Sequence, residues 1–198
     1  MSLSREPRKR RCKFSGCREY FTPKRFNLVT DECCTAACKL SYAEETANRY
    51  FAAETRAMKK AFNDKDPSWW SEKAQAMFNK YIMARDAGKP CISCQTQARD
   101  IDYCAGHWIP RGRSAALRFN EFNTHRQCNN FCNRKNSGNL IPYRIALVKL
   151  YGEEKVLWLE GPHEMPRYRI DDYKRIYEEF KLKIKALKHD ADRAPLQI

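Results

Sequence analysis

Residues 39–62 run without Gly or Pro, are rich in alanine, and set Tyr42, Thr46, Tyr50, Met58 and Phe62 at irregular helical spacing, which predicts a long helix with a thin apolar stripe. Such a helix is a spacer or lies against a partner, and a homodimer paired through it is compatible with the pattern. The run Asn63-Asp64-Lys65-Asp66-Pro67 then breaks the periodicity and marks a boundary. Ser68 or Ser71 can cap the next helix, whose Trp70, Ala74, Met77, Phe78, Tyr81 and Ala84 share one face before Gly88 and Pro90 stop it. Residues 140–151 are apolar and end at Gly152, as a helix would. Residues 156–159 predict a short strand, Glu160-Gly161-Pro162 a turn, and residues 171–188 a final helix with Tyr173, Ile176, Tyr177, Phe180, Ile184 and Leu187 on one face. The tail from His189 is expected to fray.

These elements give an α+β, mostly helical chain in four stretches: a basic arm and cysteine finger over 1–38, a helical spacer over 39–67, a core over 68–152 and a C-terminal extension over 153–198. With 198 residues, 42% of them hydrophobic, the chain can bury a core and is not a disordered polymer. No apolar run reaches the roughly 20 residues of a membrane span, and the basic N-terminus lacks a following hydrophobic region, so no membrane partner and a cytoplasmic location are expected. Ten cysteines in a chain of that kind stay reduced, and their short spacings suit metal better than disulfides. The formal charge of +14 predicts a polyanionic partner. Its placement is informative, because residues 1–30 hold nine Lys/Arg against Glu6 and Glu19, and residues 108–150 hold eight against Glu121 alone. Both stretches contain cysteine motifs, so the cations are expected to meet phosphate there.

Cys91 and Cys94, answered by Cys128 and Cys132, have the paired spacing of one tetrahedral zinc site. Cys12 and Cys17 with Cys38 and either Cys34 or Cys33 predict a second, in which zinc lets a small finger fold. Arg8 to Arg11, Lys13, Arg18, Lys24 and Arg25 surround that finger. Phosphodiester hydrolysis needs a base for water and a divalent cation held open to substrate. His107, between the two cysteine pairs, titrates near neutrality and is the best base; Asn133, directly after Cys132, could offer its amide oxygen to Mg²⁺ or Mn²⁺. Around them Arg111, Arg113, Arg118, Arg126, Arg134 and Lys135 are candidate DNA-binding residues.

Cys91-x-x-Cys94, Ala105-Gly106-His107-Trp108, the run from Arg118 to Cys128, and Cys132-Asn133-Arg134-Lys135-Asn136-Ser137-Gly138-Asn139 together resemble the NinG, or Rap, family of lambdoid phage recombination endonucleases. The likeness extends to residues 73–82, to Leu159-Glu160-Gly161-Pro162-His163 and to the N-terminal finger, and so covers most of the chain. It implies cleavage of branched DNA, such as Holliday junctions and D-loops, in a bacterial host cytoplasm and alongside other recombination proteins. The knuckle also resembles HNH, or ββα-metal, nucleases. That resemblance implies His107 as general base, Asn123 as a brace on the hairpin backbone, Asn133 as catalytic-metal ligand, and Cys91, Cys94, Cys128 and Cys132 as zinc ligands.

Two departures stand out. The residue before the base is commonly a metal-ligating Asp or His, but here it is Gly106; Asp102 and His125 are the candidate replacements, with Cys104 a softer one. His125 could equally be a second base or a hydrogen-bonding partner in the hairpin. The second departure is the three-residue gap between Cys128 and Cys132, where two is usual. The leading expectation is a metal-dependent, structure-selective DNA endonuclease with two structural zincs. Its rivals are a non-catalytic zinc-finger recombination accessory protein and an HNH endonuclease that reads sequence.

Overall fold

The computed structural model describes residues 8–23 and 32–193; the first seven residues of the predicted basic arm, and Lys24 and Arg25, lie outside them. The chain divides into two units, Met1–Asn63 and Asp64–Ile198. In the first, β1 (Arg10–Arg11) pairs antiparallel with β2 (Tyr20–Phe21), Arg10 opposite Phe21. This ribbon presents Cys12 and Cys17 to the start of α1 (Ala36–Asn63), which carries Cys38. The helix begins three residues before the predicted start because the Thr35 hydroxyl accepts from the Cys38 amide at 3.1 Å, satisfying a donor of the first turn. Glu45 accepts from the Ser15 hydroxyl and ties the ribbon to the helix. At 28 residues α1 is about 42 Å long, buries none of its side chains, and leaves Leu40, Tyr50, Phe51, Met58 and Phe62 exposed.

The second unit starts with α2 (Pro67–Arg85). Its cap is Asp66, whose carboxylate accepts from the Ser68 amide at 2.8 Å, with Pro67 in the first turn. This corrects the expectation of a Ser68 or Ser71 cap. β3 (Tyr103–His107) and β4 (Thr124–Cys128) form an antiparallel hairpin in which Tyr103 faces Cys128 and His107 faces Thr124. A π-helical turn, Asn129–Lys135, follows, then α3 (Leu140–Tyr151), α4 (Glu153–Glu160) and α5 (Ile170–Arg193).

Two apolar clusters hold this unit. Phe78, Tyr81 and Ile82 of α2 meet Phe180 and Ile184 of α5, so the C-terminal segment packs on the same core as the hairpin. Burying side chains of this size contributes about 1.5–3 kcal/mol each. Helix α5 also continues past His189 to Arg193, beyond the predicted fraying point. Ile92, Trp108, Ile109, Leu117, Tyr143, Leu147, Val156 and Leu159 form the second cluster. Residues 156–159 are therefore helix and not the expected strand: Val156 and Leu159, three apart, both face this core, and Glu153 and Glu154 favour the helix start.

At the end of α2 the buried carboxylate of Asp86 accepts from Arg85 (2.7 and 2.9 Å), from Lys89 (2.9 Å) and from the Arg126 amide (3.2 Å). Burial would raise its pKa, but the Arg85 and Lys89 cations outweigh it and bring the group down to about 2. Arg85 also donates to the carbonyls of Glu121 and Thr124, which clamps the helix to β4. Among the described residues no helix is long and apolar enough to cross a membrane.

Candidate active site and metal centres

The cysteines converge in two clusters, Cys12, Cys17, Cys34 and Cys38, and Cys91, Cys94, Cys128 and Cys132, with the sulfurs of each set within 4.8 Å of one another. Four thiolates about 2.3 Å from one zinc stand ~3.8 Å apart. The observed separations fit: 3.5 Å for Cys17–Cys34, 3.7 Å for Cys34–Cys38, 3.8 Å for Cys91–Cys132 and 3.5 Å for Cys94–Cys128. Cys34 and not Cys33 completes the first set. In the second, the Cys128 amide donates to the Cys91 sulfur (3.3 Å) and the Asn139 side chain to the Cys132 sulfur (3.5 Å), as donors to a metal thiolate do.

The extra residue between Cys128 and Cys132 is absorbed by the π-helical turn, in which the Asn136 amide donates to the Phe131 carbonyl at 3.0 Å. Asn133 consequently sits within this turn. It lines a cleft of about 380 Å³ together with His107, Asn79, Cys104, Arg111 and Gly138. The Asn133 side chain makes no hydrogen bond among the described residues.

His107 closes β3. Its Nε2 lies 3.0 Å from the Arg118 carbonyl oxygen, which can only accept, so the proton is on Nε2 and the lone pair on Nδ1. Burial, reinforced by the cations of Arg111 and Arg118, brings its pKa down to about 4, so the ring is neutral at physiological pH. Asn123 is fully buried; its amide oxygen accepts from the Ile109 amide (2.7 Å) and its nitrogen donates to the carbonyls of Ile109 (3.0 Å) and Leu117 (3.1 Å). These bonds fix the loop that supplies the Arg118 carbonyl, and hence the ring of His107.

Neither expected replacement for Gly106 reaches this cleft. Asp102 precedes β3 at the far end of the strand, about 16 Å from His107 by strand rise, where its carboxylate accepts from Asn129 at 2.6 Å. His125 is buried with both ring nitrogens engaged: Nε2 is 2.8 Å from the Tyr151 hydroxyl and Nδ1 3.2 Å from that of Tyr143. Because Tyr143 donates its own proton to the Gly106 carbonyl (2.9 Å), Nδ1 must be the donor and Nε2 the acceptor. Both nitrogens are thus committed to tyrosines, and the residue holds the backbone beside His107 rather than offering a ligand.

The cations separate into two groups. Arg111, Arg113, Arg134 and Lys135 are exposed. Arg118, expected on DNA, instead donates to Gln75 (2.8 Å) and twice to Ser71 (2.8 and 3.2 Å), with its guanidinium 5.0 Å from the Phe119 ring centroid. Arg126 donates to the Lys89 carbonyl and lies 3.7 Å over Tyr103. Both are spent on the fold.

Sequence reasoning missed Gln127. It is fully buried opposite Cys104, with its amide nitrogen donating to Ser93 Oγ (2.7 Å) and to the Gly138 carbonyl (2.6 Å), while its oxygen has no hydrogen-bond partner among the described residues. An orphan of this kind costs about 1–3 kcal/mol. A Cβ at Gly106 would stand 2.2 Å from that oxygen. The available signal was Gly106 itself, since a glycine inside a strand marks a close approach.

A mostly helical fold with two Cys₄ clusters able to hold metal ions, and with a cleft that joins an imidazole, an amide and an arginine, defines a class of protein equipped for metal and carrying a polar, cationic site. The family model for the Bacteriophage Lambda NinG protein matches residues 4–190, and the chain belongs to the NinG family. It is 35% identical to Protein ninG of Escherichia phage lambda over 202 residues, covering 96% of this chain and 98% of that protein. It is 33% identical to Protein ninG of Salmonella phage P22, covering 94% and 97%, and 36% identical to that of Escherichia phage 933W, covering 66% and 64%. No solved structure matches the chain significantly.

Proposed function

We propose that this protein is a metal-dependent, structure-selective endonuclease that cuts branched DNA recombination intermediates by phosphodiester hydrolysis. The observation that carries the reading is the meeting of His107 and Asn133 in one cleft beside Arg111. The Arg118 carbonyl holds the ring in the Nε2–H form, so Nδ1 is the atom that takes a proton from an attacking water. A ring pushed down to about 4 is a weak base but is unprotonated across the physiological range. Asn133 is a ligand for Mg²⁺ or Mn²⁺, hard cations that take oxygen donors. When bound, such an ion would neutralise charge on the phosphate and the leaving oxygen. The two zincs hold the finger and the hairpin and take no part in hydrolysis.

Exposed Arg111, Arg113, Arg134 and Lys135 would bind backbone phosphate, and recognition of a branch by shape needs such contacts more than base contacts. A homodimer would let two such sites face opposed strands of a junction. The test is cleavage of a four-way junction and a linear duplex in Mg²⁺ by the wild type and by His107→Ala. Junction cutting that falls about 10²–10⁴-fold in the variant supports the reading. Binding without cutting makes the protein a non-catalytic accessory factor, undiminished cutting by His107→Ala removes the base, and equal cutting of the duplex favours a sequence-reading nuclease.

A further inference from the structure

Helix α2 brings a second amide to the wall of the His107 cleft. The Phe78 ring packs 6.0 Å from the His107 ring, centroid to centroid, and the next residue, half-buried Asn79, lines the cleft with His107. One turn earlier on the same helix is buried Gln75. The Arg118 guanidinium can only donate, and its Nε–H group lies 2.8 Å from Gln75 Oε1, which must therefore accept. That leaves Gln75 Nε2 to donate, and it does so to Asn79 Oδ1 at 2.8 Å. The Asn79 oxygen is thus taken, while its Nδ2 keeps two hydrogens that meet no acceptor among the described residues.

An open N–H₂ group attracts acceptors and offers nothing to a cation. The rest of the cleft has the same preference: Arg111 lines it, the Arg111 and Arg118 cations both help to keep His107 neutral, and no carboxylate is among its lining residues. The non-bridging oxygens of a phosphodiester are acceptors that suit a neutral donor and a cation together. Arg118 also sets the two groups against each other. Its carbonyl accepts from His107 Nε2, and its guanidinium, through Gln75, orients the Asn79 donor. A donor fixed in this way before DNA arrives needs no reorganisation to meet a charged oxygen.

We propose that Asn79 Nδ2 donates to a non-bridging oxygen of the DNA phosphate seated beside His107, with Gln75 as the residue that positions it. The part this bond plays in hydrolysis rests on the nuclease reading above; the part it plays in binding DNA does not. Because the donor both holds the phosphate and stabilises its charge during attack, cleavage falls further than affinity when it is removed.

The test uses the full-length, zinc-loaded protein and a labelled four-way junction, with affinity read by fluorescence anisotropy without added Mg²⁺ and single-turnover cleavage read at saturating protein in Mg²⁺. Asn79→Ala is expected to weaken binding about tenfold and to slow saturated cleavage about 10²-fold. Since it removes no charge, the slope of log affinity against log salt should stay as in the wild type. Asn79→Asp keeps the oxygen that Gln75 holds and takes away only the donor, so it should lose at least as much and decides the matter if Asn79→Ala does not fold. Gln75→Glu still accepts from Arg118 but cannot donate to Asn79; it should resemble Asn79→Ala, and combining the two should cost less than about threefold more. Folded, zinc-replete Asn79 variants that bind and cut as the wild type does overturn the proposal, and additive losses in the double variant overturn the role of Gln75. A wild type that binds junctions without cutting them sinks the nuclease reading instead, and the affinities of the Asn79 variants then decide the proposal alone.

Discussion

Acid should destabilise the Asp64–Ile198 unit through His125, and the size of the effect follows from its surroundings. The ring is buried, donates through Nδ1 to Tyr143 and accepts through Nε2 from Tyr151. Adding a proton to Nε2 would set two donors against each other and place a charge near Arg85. Burial, then Arg85, bring the pKa down from its ordinary 6.5 to about 4, with Asp86 opposing. A folded-state pKa below the unfolded value means that the native form binds fewer protons between those two values. The stabilisation is complete above pH 6.5 and is lost progressively as pH falls towards 4. Between pH 8 and pH 5 the loss is about 2 kcal/mol for this residue. Urea unfolding of the wild type and of His125→Gln, neutral at every pH, measures it: the wild type should lose about 2 kcal/mol more than the variant over that interval. Comparing the two cancels contributions they share, including His107 and the zinc thiolates. Parallel losses would refute the assignment.

Two other perturbations separate structural from functional groups. Arg118→Ala should lower stability by about 1–3 kcal/mol through its bonds to Ser71 and Gln75, with the salt dependence of DNA binding unchanged, whereas Arg111→Ala should lower the slope of log affinity against log salt by about one contact and leave urea stability unchanged. Removing zinc with a chelator should release two equivalents and unfold both units by circular dichroism, because structural zinc contributes about 10–16 kcal/mol against a typical stability of 5–15.

Helices and metal clusters were legible in the chain because their signals are local and repeated. α3 ends at Gly152, where the sequence ends it, and the cysteine pairs are recognisable by spacing alone. Residues 156–159 were misread because a four-residue apolar run does not distinguish strand from helix; only Val156 and Leu159 facing one core does. His125 and Arg118 carry side chains that chemistry uses often, and nothing in their spacing reports that tyrosines and Ser71 already occupy them. Gln127 was invisible for the converse reason, since its role comes from a contact across the hairpin with a residue that has no side chain.

That contact makes Gly106 the hinge of the site. Its carbonyl accepts from Tyr143, which accepts from His125, which in turn accepts from Tyr151, so a chain of hydrogen bonds anchored on α3 fixes the residue immediately before His107. On the other side, Asn123 fixes the loop whose Arg118 carbonyl holds the imidazole proton. His107 is thus located through its backbone by one buried network and through its ring by another, and the Gln127 oxygen fills the space beside Gly106. Three buried polar side chains, Asn123, His125 and Gln127, do this positioning, and being neutral at physiological pH they avoid the desolvation cost that a buried charge would carry.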